Sequence, residues 1–387
     1  MKTLALAFLS LTLAIITMAQ GLPPIPPGGT LIAGGLDGPR GLTFGPDGLL
    51  YVAEAGRGGT DSAPAGCVPV VPPVGPYHGG PTARVSRIES NGSRTTLIGG
   101  LPSAISSLPS GDTLGVAAVA FVDGQLYALL AGGGCSHGNA TPSAVVRINR
   151  KQGTAEIVAN LSRFFREHPV AHPEPDDFEP DGTVYSMRPF HGDLMVVEPN
   201  HGRLLRINLS GKHEPRIEQL TDFSAPLGHQ VPTSLESRDG RFYVGNLFHF
   251  PIVVGAAKLY QVTRHGFVVD YWGGFTTVVG VEVDEEGRLY ALELSSADGF
   301  PDIGKGRILR ITGQVVEEIV TGLSVPTAMT LDGHRNIYVS DLGAGPPGAG
   351  RILQFANPIS GRVITTVEVR PPAPLRDCES EDEHDER

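Results

Sequence analysis

The sequence predicts an all-β fold, a six-bladed β-propeller with four-stranded antiparallel blades. Two observations carry this prediction: a turn followed by a strand recurs six times, and a second strand pattern follows each copy. The last four turns are 46 or 47 residues apart, a spacing typical of propeller blades, and the longer first spacings indicate insertions. The turns begin at Asp47, Asp123, Asp193, Asp239, Glu286 and Asp332.

Each turn motif predicts a β-hairpin. Asp-Gly pairs such as Asp239-Gly240 favour the positive φ angles of tight hairpins, and the aromatic and β-branched residues that follow favour a strand. The next pattern alternates polar and apolar residues, as expected for a strand with one buried face. It predicts the third strand of each blade at residues 84–88, 145–148, 203–207, 258–262, 307–311 and 351–355.

The pattern of a fourth strand also occurs before the first blade, at residues 30–36. We interpret it as the outer strand of the last blade, so that pairing of the N- and C-terminal strands closes the ring and protects a sheet edge. Residues 361–369 have a similar outer-strand pattern. The sequence therefore leaves open which end of the chain closes the ring.

The ends of the chain differ in composition from the repeats. Lys2, the apolar run at 4–16 and the small residues before Gln20 are typical of a secretory signal peptide. We divide the chain into a signal peptide at 1–19, a Pro/Gly-rich leader at 20–29 that we expect to be a linker, the propeller at 30–370 and an acidic, disordered tail at 371–387. This organisation predicts a protein secreted to the periplasm or the extracellular space.

Composition limits the class of partner. The net charge of −11 argues against nucleic acid, and no segment has 18 apolar residues in a row, which disfavours membrane insertion. Serine hydrolase elbows, phosphate-binding Gly-rich loops and Cys/His zinc frameworks are absent from the sequence. We therefore expect a monomer whose partner is a small molecule or a protein.

The three cysteines are Cys67, Cys135 and Cys378. In an oxidising compartment we expect Cys67 and Cys135 to form a disulfide, which leaves Cys378 in the tail free or available for an intermolecular bond. The alternative is three unrelated thiols.

The repeat cycle resembles the NHL-repeat propellers and, more loosely, the gluconolactonase-like and strictosidine-synthase-like propellers. A closer resemblance is to the ScyD/ScyE family of exported propeller proteins, over about residues 30–370. Its most specific part is the first blade, in the stretch from Gly38-Pro39-Arg40-Gly41-Leu42 to Gly66-Cys67-Val68-Pro69. This resemblance implies export and a propeller fold, and it brings no established activity.

Five of the six second strands end on a polar, oxygen-bearing side chain, three residues after the strand's aromatic position. The set comprises Glu54, Glu198, Asn246, Glu293 and Asp341, with Leu130 in the second blade. Carboxylate and amide oxygens favour a Ca²⁺ site at the central channel, and the gluconolactonase-like propellers use a comparable Glu/Asn/Asp set there. The alternative is a structural role, in which these side chains pair with backbone N–H groups or with basic neighbours such as Arg40 and Arg57.

Histidines are concentrated in the loops of the same face, which carries the connections between second and third strands. They are His78, His137, His201, His229 and His249, and His229, His249 and His201 are the candidates for a catalytic base. The alternative is that they bond to backbone groups. The acidic, Pro-rich segment 168–181 lies before the third blade and predicts either a lid over this face or a solvated insertion.

Two hypotheses of function follow. The first is an exported binding or scaffold propeller of the ScyD/ScyE type, with its ligand or partner on the face of the second-to-third-strand loops. The second is a calcium-dependent hydrolase, a lactonase or another small-molecule enzyme that uses the central channel. The sequence leaves open whether the protein is catalytic.

Overall fold

The computed structural model describes residues 21–72, 74–107, 112–175, 177–209, 215–248, 251–297, 302–313, 315–358 and 362–363. The predicted signal peptide, Cys378 and the acidic tail lie outside these residues. Within them the chain forms the predicted six-bladed propeller, with four antiparallel strands as the common unit of every blade.

The first strand is β1 (Gly29–Leu36). Blade one contains β2 (Pro39–Phe44), β3 (Leu50–Glu54), β4 (Tyr77–Ile88), β5 (Arg94–Ser106) and the short β6 (Thr113–Leu114). Blade two contains β7 (Val116–Val122), β8 (Gln125–Leu130), β9 (Ala144–Asn149) and β10 (Thr154–Asn160). Blade three contains β11 (Ser186–Phe190), β12 (Asp193–Glu198), β13 (Arg203–Asn208) and β14 (Arg216–Asp222).

Blade four contains β15 (Pro232–Arg238), β16 (Arg241–Asn246), β17 (Ala257–Thr263) and β18 (Val268–Phe275). Blade five contains β19 (Val278–Val283), β20 (Leu289–Glu293), β21 (Gly306–Thr312) and β22 (Val315–Leu323). Blade six contains β23 (Ala328–Leu331), β24 (Ile337–Asp341) and β25 (Gly350–Phe355), and a two-residue strand β26 (Arg362–Val363) follows. The helices α1 (Leu161–Glu167) and α2 (Ser224–Leu227) precede blades three and four.

The hairpin motif has a direct structural cause. Asp239 and Gly240 have φ angles of 51° and 71°, the positive values that a two-residue hairpin of this type requires. In blade one the tyrosine of the motif instead donates its hydroxyl hydrogen bond to the turn acid, from Tyr51 to Asp47 at 2.8 Å. Turn chemistry and strand chemistry are therefore specified together in the same short stretch of sequence.

The hydrophobic core lies between blades rather than inside them. Among the described residues the buried apolar side chains form six clusters, and each cluster joins neighbouring blades. Blades five and six, for example, share Leu292, Ile308, Met329 and Leu353. Because each blade buries its faces against two neighbours, the ring must be closed for the outermost blades to be covered.

The N-terminal strand closes the ring. β1 pairs antiparallel with β25, from Gly29 opposite Phe355 to Leu36 opposite Gly350, and so supplies the fourth strand of blade six. β26 pairs instead with β22 of blade five. The leader is also attached to the ring, since Arg351 donates to the carbonyls of Pro23 and Pro24.

The insertions of blades one and two are joined by a disulfide between Cys67 and Cys135, as predicted. Cys67 lies in the long connection between β3 and β4, and Cys135 begins a short 3₁₀ helix between β8 and β9. Their Cα atoms are 6.1 Å apart. None of the helices in the described part of the chain is long and apolar enough to cross a membrane.

Candidate functional site

One face of the ring carries the connections between second and third strands and the connections that lead into each first strand. We call it the histidine face, because His137, His201 and His229 lie in these connections. The opposite face carries the tight hairpins and the turns between third and fourth strands. The predicted site residues at the second-strand ends all border the histidine face.

In blades one, five and six the second strand ends on a buried carboxylate that joins three parts of its blade. Its oxygens accept from the backbone N–H found 17 residues earlier, in the connection that leads into the first strand. The same carboxylate faces the arginine at the register position opposite it on the third strand. The three sets are Glu54 with Asp37 N and Arg84, Glu293 with Thr276 N and Arg307, and Asp341 with Ser324 N and Arg351.

These carboxylates are desolvated. Burial raises the pKa of Glu54, although Ser86 and Arg94 oppose the shift by hydrogen bonding and charge. Burial also raises the pKa of Asp341, opposed by the Ser324 N–H and by Arg351. Each group therefore depends on its donors to remain ionised.

Blades two and four differ. Leu130 provides no polar atom, and its side chain is part of the core between blades one and two. The side chain of Asn246 donates to Gln230 Oε1 at 2.6 Å and accepts from the backbone N–H of Phe248. Tyr260 donates to the same Gln230 oxygen, so blade four replaces the ion pair with a neutral network.

Blade three keeps the carboxylate but changes its partners. Glu198 Oε1 accepts from the backbone N–H groups of Thr183 and Asn200, and Oε2 lies 3.1 Å from His201 Nδ1. Burial lowers the pKa of His201, but the charge and hydrogen bond of Glu198 outweigh it, and the net shift is upward. Burial acts to raise the pKa of Glu198, but His201 and the backbone hydrogen bonds outweigh it, and the net shift is downward.

Because Glu198 is paired with His201, Arg203 has a different environment from the third-strand arginines of blades one, five and six. Its side chain is fully buried, and Nη1 donates to the His168 carbonyl at 2.7 Å. The guanidinium carbon lies 5.5 Å from the centre of the Phe165 ring. Burial lowers the pKa of Arg203, and the charges of Glu198, Asp222 and Asp177 oppose that shift.

The segment 177–183 overlaps the end of the Pro-rich segment 168–181 and crosses this region from blade two to blade four. We call residues 177–183 the acidic segment. Asp177 Oδ1 lies 3.3 Å from His229 Nδ1, and Glu179 Oε2 lies 3.1 Å from His137 Nε2. Asp181 accepts from the Ser136 hydroxyl at 2.7 Å and pairs with Arg166. The carboxylates of the acidic segment are buried and paired, whereas residues 171–173 and 175 are exposed.

The structure places the predicted histidines in different surroundings. Three of them lie next to the acidic segment, and each of the three is paired with a carboxylate. The pairs are His137 with Glu179, His201 with Glu198 and His229 with Asp177. His78 lies apart from these pairs and contacts the Ser62 hydroxyl at 3.2 Å. His249 lies outside the described residues.

The central channel is lined by the first strands of the blades. Its cavity has a volume of about 30 Å³, room for about two water molecules. Arg188 lies in the channel wall, where it donates to Glu282 and is 3.3 Å from Glu236. Burial raises the pKa of Glu282 to about 8, with Arg188 opposing the shift and Glu236 adding to it.

The five oxygen-bearing residues of the calcium prediction lie at the ends of second strands in five different blades. Ca²⁺ takes six to eight oxygen ligands around one point. Here the side chains serve separate blades, and their oxygens face N–H donors and guanidinium groups. Across the described ranges no group of three His, Cys, Asp or Glu side chains is placed to hold a metal ion. Calcium binding stays a prediction.

Sequence reasoning did not single out Arg203 and Thr183 as members of this region, and the two basic neighbours that it named form their ion pairs with other carboxylates. Arg57 pairs with Asp37, and Arg40 with Asp112. Glu293 and Asp341 pair with arginines of the third strands, whereas Glu54 pairs with Arg84 of the third strand and Arg94 of the fourth. The signal was present, because Arg84, Arg203, Arg307 and Arg351 occupy one position of the third-strand pattern. A strand pattern does not show which of these arginines has no hydrogen bond to the carboxylate opposite it.

No family model matches this chain, and no curated protein matches it. Solved structures do resemble it. A putative oxidoreductase (glucose dehydrogenase) from Thermus thermophilus is 16% identical over 84% of this chain and 98% of its own, with a TM-score of 0.52. A gluconolactonase from Xanthomonas campestris is 9% identical over 84% and 88%, with a TM-score of 0.49. At these identities the likeness shows the β-propeller fold and no activity.

Proposed function

We propose that this chain is an exported binding protein of the ScyD/ScyE type, with its ligand site on the histidine face over blades two to four. The observation that carries the proposal is the convergence of three His–carboxylate pairs and the buried Arg203 beneath one surface segment. Export is supported by the Cys67–Cys135 disulfide, because disulfides persist in oxidising compartments, and by the predicted signal peptide.

The geometry favours binding because the polar groups sit on a rigid support. The strands β12 and β13 hold Glu198 and Arg203, and the core between blades three and four lies beneath them. The acidic segment is attached on both sides, through Glu179 to blade two and through Asp177 towards blade four. Polar groups that a scaffold holds in place bind a ligand with little further ordering cost.

A ligand screen tests the proposal. The mature protein, residues 20–387, is mixed with a library of sugars, organic acids, aromatic compounds and short peptides, and melting temperature is measured, with calorimetry for each hit. We expect at least one hit whose affinity falls in His201→Gln and stays unchanged in Lys151→Ala, a control on the opposite face. A library without hits, or hits that respond equally to both variants, would overturn the proposal.

A second candidate is a hydrolase, and the His201–Glu198 pair favours it. A base held by a hydrogen-bonded carboxylate is the usual arrangement for general base catalysis. Lactone and ester substrates test this candidate, since turnover by the wild type and its loss in His201→Gln are both required. Binding without turnover supports the binding protein instead.

Calcium binding is the remaining part of the enzyme hypothesis. Its support is the chemical class of Glu54, Glu198, Asn246, Glu293 and Asp341. Metal analysis of the secreted protein and melting curves with and without EDTA test it. A metal-free protein whose melting temperature does not respond to EDTA would remove calcium from the hypothesis.

A further inference from the structure

Buried polar atoms without a hydrogen-bond partner are concentrated in the acidic segment and directly beneath it. In the described part of the chain, four of these atoms belong to three residues there: Arg203 Nε and Nη2, Asp177 Oδ1 and Thr183 Oγ1. Buried polar groups in folded proteins are almost always hydrogen-bonded. A concentration of exceptions in one place therefore points to a group that this place is built to bind.

The two donors of Arg203 form one edge of its guanidinium. Nε and Nη2 project side by side, which suits two neighbouring acceptor oxygens. In blade six the equivalent Arg351 directs both Nε and Nη2 to Asp341, and in blade five Arg307 donates from Nε to Glu293. In blade three the carboxylate of Glu198 bonds to His201 instead, so this edge of Arg203 is available to a ligand.

The surroundings argue against an anionic ligand. Three carboxylates, Glu198, Asp222 and Asp177, lie close enough to Arg203 to act on its charge. Asp177 Oδ1 faces the His229 ring at 3.3 Å but accepts no hydrogen bond. A ligand carboxylate or phosphate would satisfy Arg203 and repel Asp177, whereas a hydroxyl group accepts from one and donates to the other.

We propose that this cluster binds a neutral polyhydroxylated small molecule, with neighbouring hydroxyls that accept from Nε and Nη2 of Arg203 and donate to Oδ1 of Asp177. Thr183 Oγ1, on the residue whose N–H bonds to Glu198, supplies a further hydroxyl contact. Phe165, which packs on Arg203 and near His201, supplies an apolar wall. The side chains of His201 and His229 are 13% and 12% exposed, so the cluster lies directly under the surface.

This inference rests on the proposed binding function and narrows its ligand class. The probes are myo-inositol, glucose and sorbitol as neutral polyols, with acetate and citrate as anions, and calorimetry measures each affinity for the mature protein. We expect at least one polyol to bind and neither anion to bind. The affinity for the polyol should fall about tenfold or more in Arg203→Lys and in Asp177→Asn, since each loses a hydrogen bond to a charged group.

Arg307→Lys is the matched control, because it makes the same change at the same strand position in blade five. Its affinity should stay within about twofold of the wild type, a difference well below that expected for one lost hydrogen bond. If Arg203→Lys fails to fold, Thr183→Val, which removes one hydroxyl, gives the same comparison.

The outcomes separate the two proposals. Binding of an anion but not of a polyol, with loss in His201→Gln, would overturn the ligand class and leave the binding function standing. Polyol binding that is unaffected by Arg203→Lys and Asp177→Asn would overturn the assignment to this cluster. No binding by any probe would overturn the polyol inference, while the wider library decides the binding function.

Discussion

A single buried carboxylate at the end of a second strand joins three parts of its blade. In blade five Glu293 bonds to the Thr276 N–H, which leads into the first strand, and to Arg307 on the third strand. Removing one partner of a buried ion pair leaves the other charge without full compensation. The position therefore contributes to stability by itself, and no ion is needed to explain its chemistry.

Glu293→Gln tests the contribution of this carboxylate to stability. We expect the free energy of unfolding to fall by about 2 kcal/mol, because Arg307 loses its buried partner and keeps its pair with Glu318. Urea unfolding measures the change, with and without EDTA. Glu156→Gln, which breaks an exposed pair with Arg147, is the control and should leave the midpoint unchanged. A loss seen only without EDTA would favour the calcium hypothesis.

The Glu198–His201 pair predicts a pH window. The lowered pKa of Glu198 adds stability above its unfolded value of 4.5, and this is lost as pH falls through the folded value. The raised pKa of His201 adds stability that is complete below 6.5 and is lost as pH rises through the folded value. The free energy of unfolding of the wild type should therefore be about 2 kcal/mol higher than that of His201→Gln between about pH 5 and 6. Urea unfolding across the pH range measures the difference, and a constant value between about pH 3 and 9 would contradict the window.

At the scale of elements, the periodic parts of the sequence predicted the structure and the insertions did not. The turns at Asp123 and Asp239 become tight hairpins because Asp-Gly pairs carry their own conformational preference. The connections of blades one to three contain α1, the 3₁₀ helix and β6, and no repeat pattern predicts them. The acidic segment depends on partners in three blades, and such contacts have no local signal in the sequence.

The disulfide fastens two of these insertions to each other. Its cysteines are 68 residues apart in the sequence, so reduction restores conformational freedom to a long stretch of the unfolded chain. We expect the free energy of unfolding of Cys67→Ser/Cys135→Ser to be about 2–4 kcal/mol lower than that of the oxidised wild type. Urea unfolding measures this, and dithiothreitol should lower the wild type to the level of the variant. An unchanged midpoint after complete reduction would contradict the prediction.

At the scale of the whole molecule, a six-unit count with 46 to 47 residues per later blade was enough to predict the ring. It was not enough to choose the end that closes it, because residues 30–36 and 361–369 have the same strand pattern. The choice is made by tertiary pairing, in which β1 lies against β25 and Arg351 contacts the leader. The sequence predicted only which face carries the site. Arg203 keeps its place in the arginine pattern, and its lack of a hydrogen bond to Glu198 is visible only in the contacts of the structure.

Ring closure gives the last prediction. A chain that begins at Asp37 lacks β1, so β25 becomes an open edge and the core cluster that contains Ala33, Leu36 and Ile352 is uncovered. We expect this chain to aggregate or to melt far below the wild type. A chain that ends at Pro358 loses only the two-residue strand β26 of the described structure and should keep a similar melting temperature. Circular dichroism melts and light scattering compare the two, and equal behaviour would show that the N-terminal strand does not close the ring.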